Sequence, residues 1–102
     1  MGKRSKKYKE EFLYEQLKNP KEAAAYLNEC LQDDDPTVFL IALRDVIKAH
    51  GGISKLAEEI ERNRESLYRS FSAAGNPSIN TLMDTLDVYG LQLSVRPAKL
   101  RA

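Results

Sequence analysis

The sequence predicts a mainly α-helical single domain of five helices that ends in one β-strand. Three observations support this fold class. A chain of 102 residues is long enough for one hydrophobic core and too short for two. Apolar residues recur at helical spacing between strong helix starts and stops. A convincing strand pattern, in which apolar and polar residues alternate, occurs only near the C-terminus. We expect residues 10–96 to form the domain, between a flexible basic tail at 1–9 and a short tail at 97–102.

The first two predicted helices have clear boundary signals. The segment Asn19–Glu22 supplies an N-cap, a proline at the first helical position and a glutamate that can reach back to the cap. Asp35 and Pro36 repeat the cap and the proline for the second helix, which Gly51 and Gly52 end. The apolar stripes expected inside are Ala23, Ala24, Leu27, Cys30 and Leu31, then Phe39, Ala42, Leu43, Val46 and Ile47.

Residues 53–72 read as two short helices joined by a tight turn. The first helix would bury Leu56, Ala57 and Ile60, where the small alanine lets two steeply crossing helices approach. The second would bury Leu67 and Phe71. The same helical rotation turns an opposite set of side chains outward, namely Arg64, Glu65, Tyr68, Arg69 and Ser72.

That outward set has the chemistry for reading DNA. Arginine can bind guanine with two hydrogen bonds, glutamate can accept from cytosine, and hydroxyl groups can donate to phosphates. From the pattern alone, an ordinary amphipathic hairpin with a charged surface is the alternative. The predicted DNA-binding residues are Ser54, Lys55, Asn63, Arg64, Glu65, Ser66, Tyr68 and Arg69.

The last helix should run from the cap Ser78 to Gly90 and be followed by the strand. Leu91, Leu93 and Val95 alternate with polar residues there. Because a lone strand leaves its backbone groups unpaired, we expect it to pair with the same strand of a second subunit, giving a homodimer. Folding back on its own subunit remains the alternative.

Several classes of protein find no support in the sequence. No apolar run approaches the roughly 20 residues that cross a bilayer, and the basic N-terminus lacks the hydrophobic stretch of a secretory signal. Cys30 is the single cysteine, which suits a reducing cytoplasm. The lone His50 and the run Asp33–Asp35 lack the spacing of a zinc or calcium site. We therefore expect a cytoplasmic protein without membrane contact, metal, cofactor or catalytic residues, and not an enzyme.

Charge is unevenly distributed along the chain. Residues 1–9 carry five basic side chains, residues 10–61 carry five basic and twelve acidic ones, and residues 62–102 carry six basic and three acidic ones, which gives the formal total of +1. A nucleic-acid binder usually has an overall basic excess, so any DNA-binding face here must be local. The acidic segment from Glu10 to Asp35 is our candidate surface for a basic protein partner, and a solvated face is the alternative.

The sequence resembles a known family. Residues 39–72 resemble the helix-turn-helix domain of the lambda-repressor/Cro superfamily. The whole chain is similar to the addiction-module antidote proteins, the antitoxins of toxin–antitoxin pairs. The motifs that carry this resemblance are Asn-Pro-Lys-Glu-Ala-Ala-Ala-Tyr-Leu-Asn at 19–28, Asn-Arg-Glu-Ser-Leu-Tyr at 63–68, Gly-Asn-Pro-Ser at 75–78 and Gly-Leu-Gln-Leu-Ser-Val at 90–95.

The resemblance implies a dimeric repressor that places the second helix of the pair in the major groove of double-stranded operator DNA. It also implies a cognate toxin of the RelE/ParE type that the antidote holds inactive. Two positions depart from the superfamily pattern, because Glu61 and Arg62 stand where a glycine and an apolar residue are usual. Glu61 would have to adopt a backbone conformation that suits glycine, and Arg62 would snorkel or reach solvent rather than fill the hairpin. The alternative function is a stand-alone helix-turn-helix regulator, or an adaptor that binds proteins without a toxin partner.

Overall fold

Six α-helices make up the fold of residues 2–98, the part of the chain that the computed structural model describes. They are α1 (Gly2–Leu17), α2 (Pro20–Leu31), α3 (Thr37–Ala49), α4 (Ile53–Glu59), α5 (Arg64–Ser70) and α6 (Ile79–Val88). The mainly helical class is confirmed. The helix count is not, since the prediction of five helices missed α1.

The missed helix α1 begins inside the segment predicted as a flexible basic tail. That prediction rested on the lack of an apolar stripe before Phe12. Lysine and glutamate nevertheless have high helix propensity, so a helix can continue beyond its apolar face. Its C-terminal half is anchored by Leu17, which is fully buried against the other helices. Met1 and residues 99–102, the latter within the predicted C-terminal tail, lie outside the described residues.

The hydrophobic core is built around α3. This helix packs against α1, α2 and α4, and α4 in turn packs against α5 and α6. The buried apolar side chains are Leu17, Ala23, Leu27, Phe39, Ala42, Leu43, Val46, Ile47, Ala49, Leu56, Ala57, Leu67, Phe71, Leu86 and Tyr89. Because α3 supplies six of these, it fixes where the helix pair α4–α5 sits.

Side-chain caps begin α2 and α6 as predicted, whereas α3 begins one residue later than predicted, at Thr37, with Pro36 rather than Asp35 at the N-cap position. The Asn19 carboxamide accepts from the Lys21 amide at 2.9 Å, and the Ser78 hydroxyl accepts from the Thr81 amide at 3.2 Å. Asn63 caps α5 in the same way. These bonds satisfy backbone donors that have no partner inside the helix, so each helix begins at a defined residue.

His50 has a structural position. Its Nε2 atom donates to the Leu17 carbonyl at 3.2 Å, and its ring stacks on Tyr89 with centroids 4.5 Å apart. The histidine therefore joins the ends of α1, α3 and α6 through a hydrogen bond and an aromatic contact.

The predicted C-terminal strand is wrong. Residues 91–98 follow α6 without any ladder hydrogen bonds, and the described residues contain no β-strand. A strand needs a neighbouring extended segment to receive its backbone bonds. The rest of residues 2–98 is helices and short connections, so this range offers the segment no strand to pair with. A search of residues 2–98 for a membrane-spanning helix finds none, because every helix there is too short or too polar to cross a bilayer.

Candidate nucleic-acid interface

The helix pair α4–α5 is held against the core by a few apolar side chains. Leu56 and Ala57 of α4 are buried, as are Leu67 of α5 and Phe71 just beyond it. The inward set predicted from the spacing is confirmed at these four positions, whereas Ile60 is only partly buried. With one side fixed in this way, the opposite side of α5 must face outward.

The turn between the two helices has the hydrogen bonds of a Schellman motif. The Arg62 amide donates to the Ala57 carbonyl at 3.0 Å, and the Glu61 amide donates to the Glu58 carbonyl at 3.4 Å. This pair of bonds requires the residue after the C-cap to be left-handed. Glu61 occupies that position with φ of 52°, as predicted from its alignment with the usual glycine.

The same motif ends α3 and α6, where glycine takes the left-handed position. At α3 the residue is Gly51, with φ of 111°, and at α6 it is Gly90, with φ of 75°. Among the described residues, Glu61 is the one side-chain-bearing residue with positive φ. The backbone therefore adopts the turn in spite of a side chain that disfavours it.

The Arg62 side chain is partly exposed and reaches across to the last helix. Its guanidinium donates to the Thr81 hydroxyl at 2.8 Å and pairs with the Asp84 carboxylate. Both partners lie on α6. Arg62 thus ties the turn to the last helix with polar bonds, where the superfamily pattern has an apolar residue.

The predicted DNA-binding residues lie on α4, on α5 and in the turn between these two helices, which pack against each other. Those exposed to solvent are Lys55, Asn63, Arg64, Glu65, Ser66, Tyr68 and Arg69. Tyr68 presents 53% of its surface to solvent. Ser54 is half-buried. The Asn63 carboxamide oxygen accepts from the Ser66 amide at 3.0 Å, which leaves its NH₂ group available as a donor.

Two basic residues next to this surface were missed by the sequence reasoning. Arg44 and Lys48 line an open cleft of 250 Å³ that Tyr68 and Ser72 of the α5 region also line. Neither cation forms an ion pair with a side chain in the described part of the chain. Their spacing of four residues along α3 places them on one helix face, which was the available signal. That they adjoin α5 follows only from the packing of α3 against α4.

The predicted dimerisation residues differ in their surroundings. Leu91 is half-buried and packs against the core of its own chain. Leu93 is 41% exposed and Val95 is 98% exposed. The three therefore do not form one exposed apolar face, and only the last two are available to a partner.

Comparison with known proteins shows the family. Residues 8–97 match the family described as "Probable addiction module antidote protein". The chain is also 35% identical over 85 residues to a Haemophilus influenzae protein described as uncharacterized, covering 83% of this chain and 87% of that one. No solved structure matches. The chain belongs to the addiction-module antidote family, which confirms the resemblance at that level and implies a cognate toxin.

Proposed function

We propose that this protein is the antitoxin of a toxin–antitoxin module, a dimeric repressor that binds operator DNA and neutralises its cognate toxin by direct contact. The observation that carries the DNA-binding part is the exposed face of α5. Arg64, Tyr68 and Arg69 are exposed there, while Leu67 is buried against the core. A helix held by its apolar side with charged and aromatic groups outward is what the second helix of a helix-turn-helix requires.

In this proposal α5 lies in the major groove. Arg64 and Arg69 contact bases, because a guanidinium can donate two hydrogen bonds to one guanine. Glu65 and Tyr68 contribute to selectivity. Ser54, Lys55, Asn63 and Ser66 contact the backbone at the edge of the groove and fix the position of the helix.

Arg44 and Lys48 extend this surface along α3. They flank the cleft beside Tyr68 and carry positive charge that no described carboxylate neutralises. We assign them to the phosphates. Such contacts add affinity without sequence preference, because each cation bound to DNA releases counterions from it.

The small basic surface of one copy favours DNA binding by a dimer. The formal net charge is only +1, so one copy has little long-range attraction for DNA. A two-fold dimer would place two α5 helices about 34–36 Å apart on a palindromic operator. The exposed Leu93 and Val95 are our candidates for the apolar contact between subunits. Operator binding also implies a cytoplasmic protein that binds rather than catalyses.

The toxin in this proposal is a basic, ribonuclease-like protein of the RelE/ParE type. Membership of the antidote family supports a cognate toxin. A stand-alone regulator or an adaptor without DNA binding is the second candidate, and the near-neutral net charge favours the adaptor.

Fluorescence anisotropy on the full chain tests the repressor. The protein is titrated into a labelled duplex from its own upstream region and into a shuffled duplex, at several salt concentrations. We expect tighter binding to the upstream duplex and a steep negative dependence on salt. Equal binding to both duplexes would favour the adaptor.

Matched variants distinguish residues that contact bases from residues that contact phosphates. Arg64→Ala or Arg69→Ala should lose about 1–3 kcal/mol on the upstream duplex and less on the shuffled one. Arg44→Ala with Lys48→Ala should weaken binding to both duplexes alike and reduce the salt slope by about two. Lys21→Ala, a change of an exposed lysine on α2, is the control and should alter neither.

A further inference from the structure

An apolar groove of 490 Å³ lies where the end of α2 meets the start of α3. Leu31, Phe39 and Leu40 line it, and Leu82 of α6 with Asn76 and Pro77 of the preceding loop completes the wall. Phe39 is buried at its base, whereas Leu31 is 52% exposed. We call this surface the α2–α3 groove.

The rim of the α2–α3 groove is acidic. Asp33 and Asp34 are among the lining residues and no lysine or arginine is. Neither carboxylate forms an ion pair with a side chain that the structure describes. Apolar side chains bordered by carboxylates that form no ion pair are complementary to a segment that carries an apolar anchor flanked by lysine or arginine.

We propose that the α2–α3 groove is the docking site for the toxin, and that it binds a basic segment of the toxin through an apolar anchor. The inference rests on the proposed antitoxin function. A toxin that cleaves RNA must bind phosphates and so presents cationic side chains. Carboxylates placed against those side chains occupy the positions that RNA phosphates would take.

The groove is separate from the proposed DNA surface. Phe39 precedes Lys48 by nine residues on the same helix, which corresponds to roughly 13 Å along the α3 axis. The lining residues of the groove and of the Arg44–Lys48 cleft have no member in common. One antitoxin can therefore hold toxin and operator at the same time. A second copy of this chain fits the groove less well, because in the proposed dimer its basic α5 face is occupied by DNA.

Cys30 provides a direct probe of occupancy. It is the single cysteine of the chain and it lines the groove. Burial raises the pKa of its thiol, so alkylation is best measured at mildly alkaline pH, where more thiolate is present. The full chain is mixed with the purified product of the reading frame next to its own, and alkylation by N-ethylmaleimide is followed by mass spectrometry. We expect the toxin to slow the reaction about tenfold or more, because thiol reactivity depends on access.

Charge reversal gives a second, independent readout. The change Asp33→Lys with Asp34→Lys should weaken toxin binding by about 10²-fold, since like charges then face each other across the interface. The control is Glu59→Lys with Asp87→Lys, which reverses two exposed carboxylates outside both the groove and the segment from Glu10 to Asp35 and should change toxin affinity little. Operator binding should be preserved in both pairs, which shows that the variants fold.

Four results would overturn the proposal. Tight toxin binding without protection of Cys30 would place the toxin elsewhere, and so would equal losses in the two charge-reversal pairs. Disruption of the homodimer by the groove variant in the absence of toxin would assign the groove to a second copy. Failure of the wild-type chain to bind the neighbouring product at all would reject the antitoxin function itself, and the docking site with it.

Discussion

Replacing Glu61 with glycine should stabilise this protein. Glu61 is exposed at φ of 52°, a conformation that disfavours an L-residue with a side chain by roughly 1–2 kcal/mol. Glycine relieves that strain but gains unfolded-state entropy, which disfavours folding by roughly 0.5–1 kcal/mol. The Glu61 side chain makes no hydrogen bond or ion pair with the described residues, so nothing else is lost. The net expectation is a free energy of unfolding higher by about 0.5 kcal/mol.

Urea denaturation measures this change. With a slope near 2 kcal/mol/M, the midpoint of Glu61→Gly should rise by about 0.3 M. The matched control is Glu58→Gly, the same substitution at an exposed helical position three residues earlier. That change should lower the free energy of unfolding by about 1 kcal/mol, because glycine is a poor helix former. If both variants lost stability equally, the turn would not be strained and our account of the Schellman motif would be refuted.

Three further predictions concern the packing, the acid response and the assembly. Arg62→Ala should reduce the free energy of unfolding by only about 1 kcal/mol, because the ion pair that is lost is partly solvent-exposed. A double-mutant cycle with Asp84→Ala measures the coupling between the two side chains, and additive effects would show that the pair contributes nothing. Hydrogen bonds from the Thr37 amide and hydroxyl hold the pKa of Asp35 below its usual value. The ionised Asp35 carboxylate therefore stabilises the fold fully above its unfolded-state pKa, and this stabilisation is lost as pH falls through the lower folded-state pKa. The difference in Tm between wild type and Asp35→Asn should therefore shrink in acid, and a difference independent of pH would contradict this. Leu93→Asp with Val95→Asp should give monomers in sedimentation velocity, and a surviving dimer would place the interface elsewhere.

The helix ends were predictable because their signals are local. Asn19, Asn63 and Ser78 cap their helices with bonds to amides two or three residues away. The left-handed position at Glu61 was expected from the resemblance to the helix-turn-helix superfamily, in which a glycine is usual there. Which side chains of α5 face outward followed from helical periodicity and the two buried apolar positions.

Errors arose where a residue's neighbours come from elsewhere in the chain. Arg62 was expected to snorkel or reach solvent, and its bonds to Thr81 and Asp84, which lie 19 and 22 residues further along the chain, were not foreseen. The C-terminal strand was expected from its alternation and from pairing with a second subunit, but residues 91–98 form no strand. Only the folded chain shows that Leu91 packs inward while Val95 is exposed.

The sequence by itself therefore determined the helical class, the caps and turns, and the outward face of α5, since each depends on residues within one or two helical turns. The tertiary structure decided the rest. It placed Arg44 and Lys48 beside Tyr68, tied the central turn to α6 through Arg62, and formed an acidic groove from two segments that are separated along the chain, residues 30–40 and 76–82. These features depend on how α3 packs against its neighbours, and a pattern within one segment carries no information about which other segment it will meet.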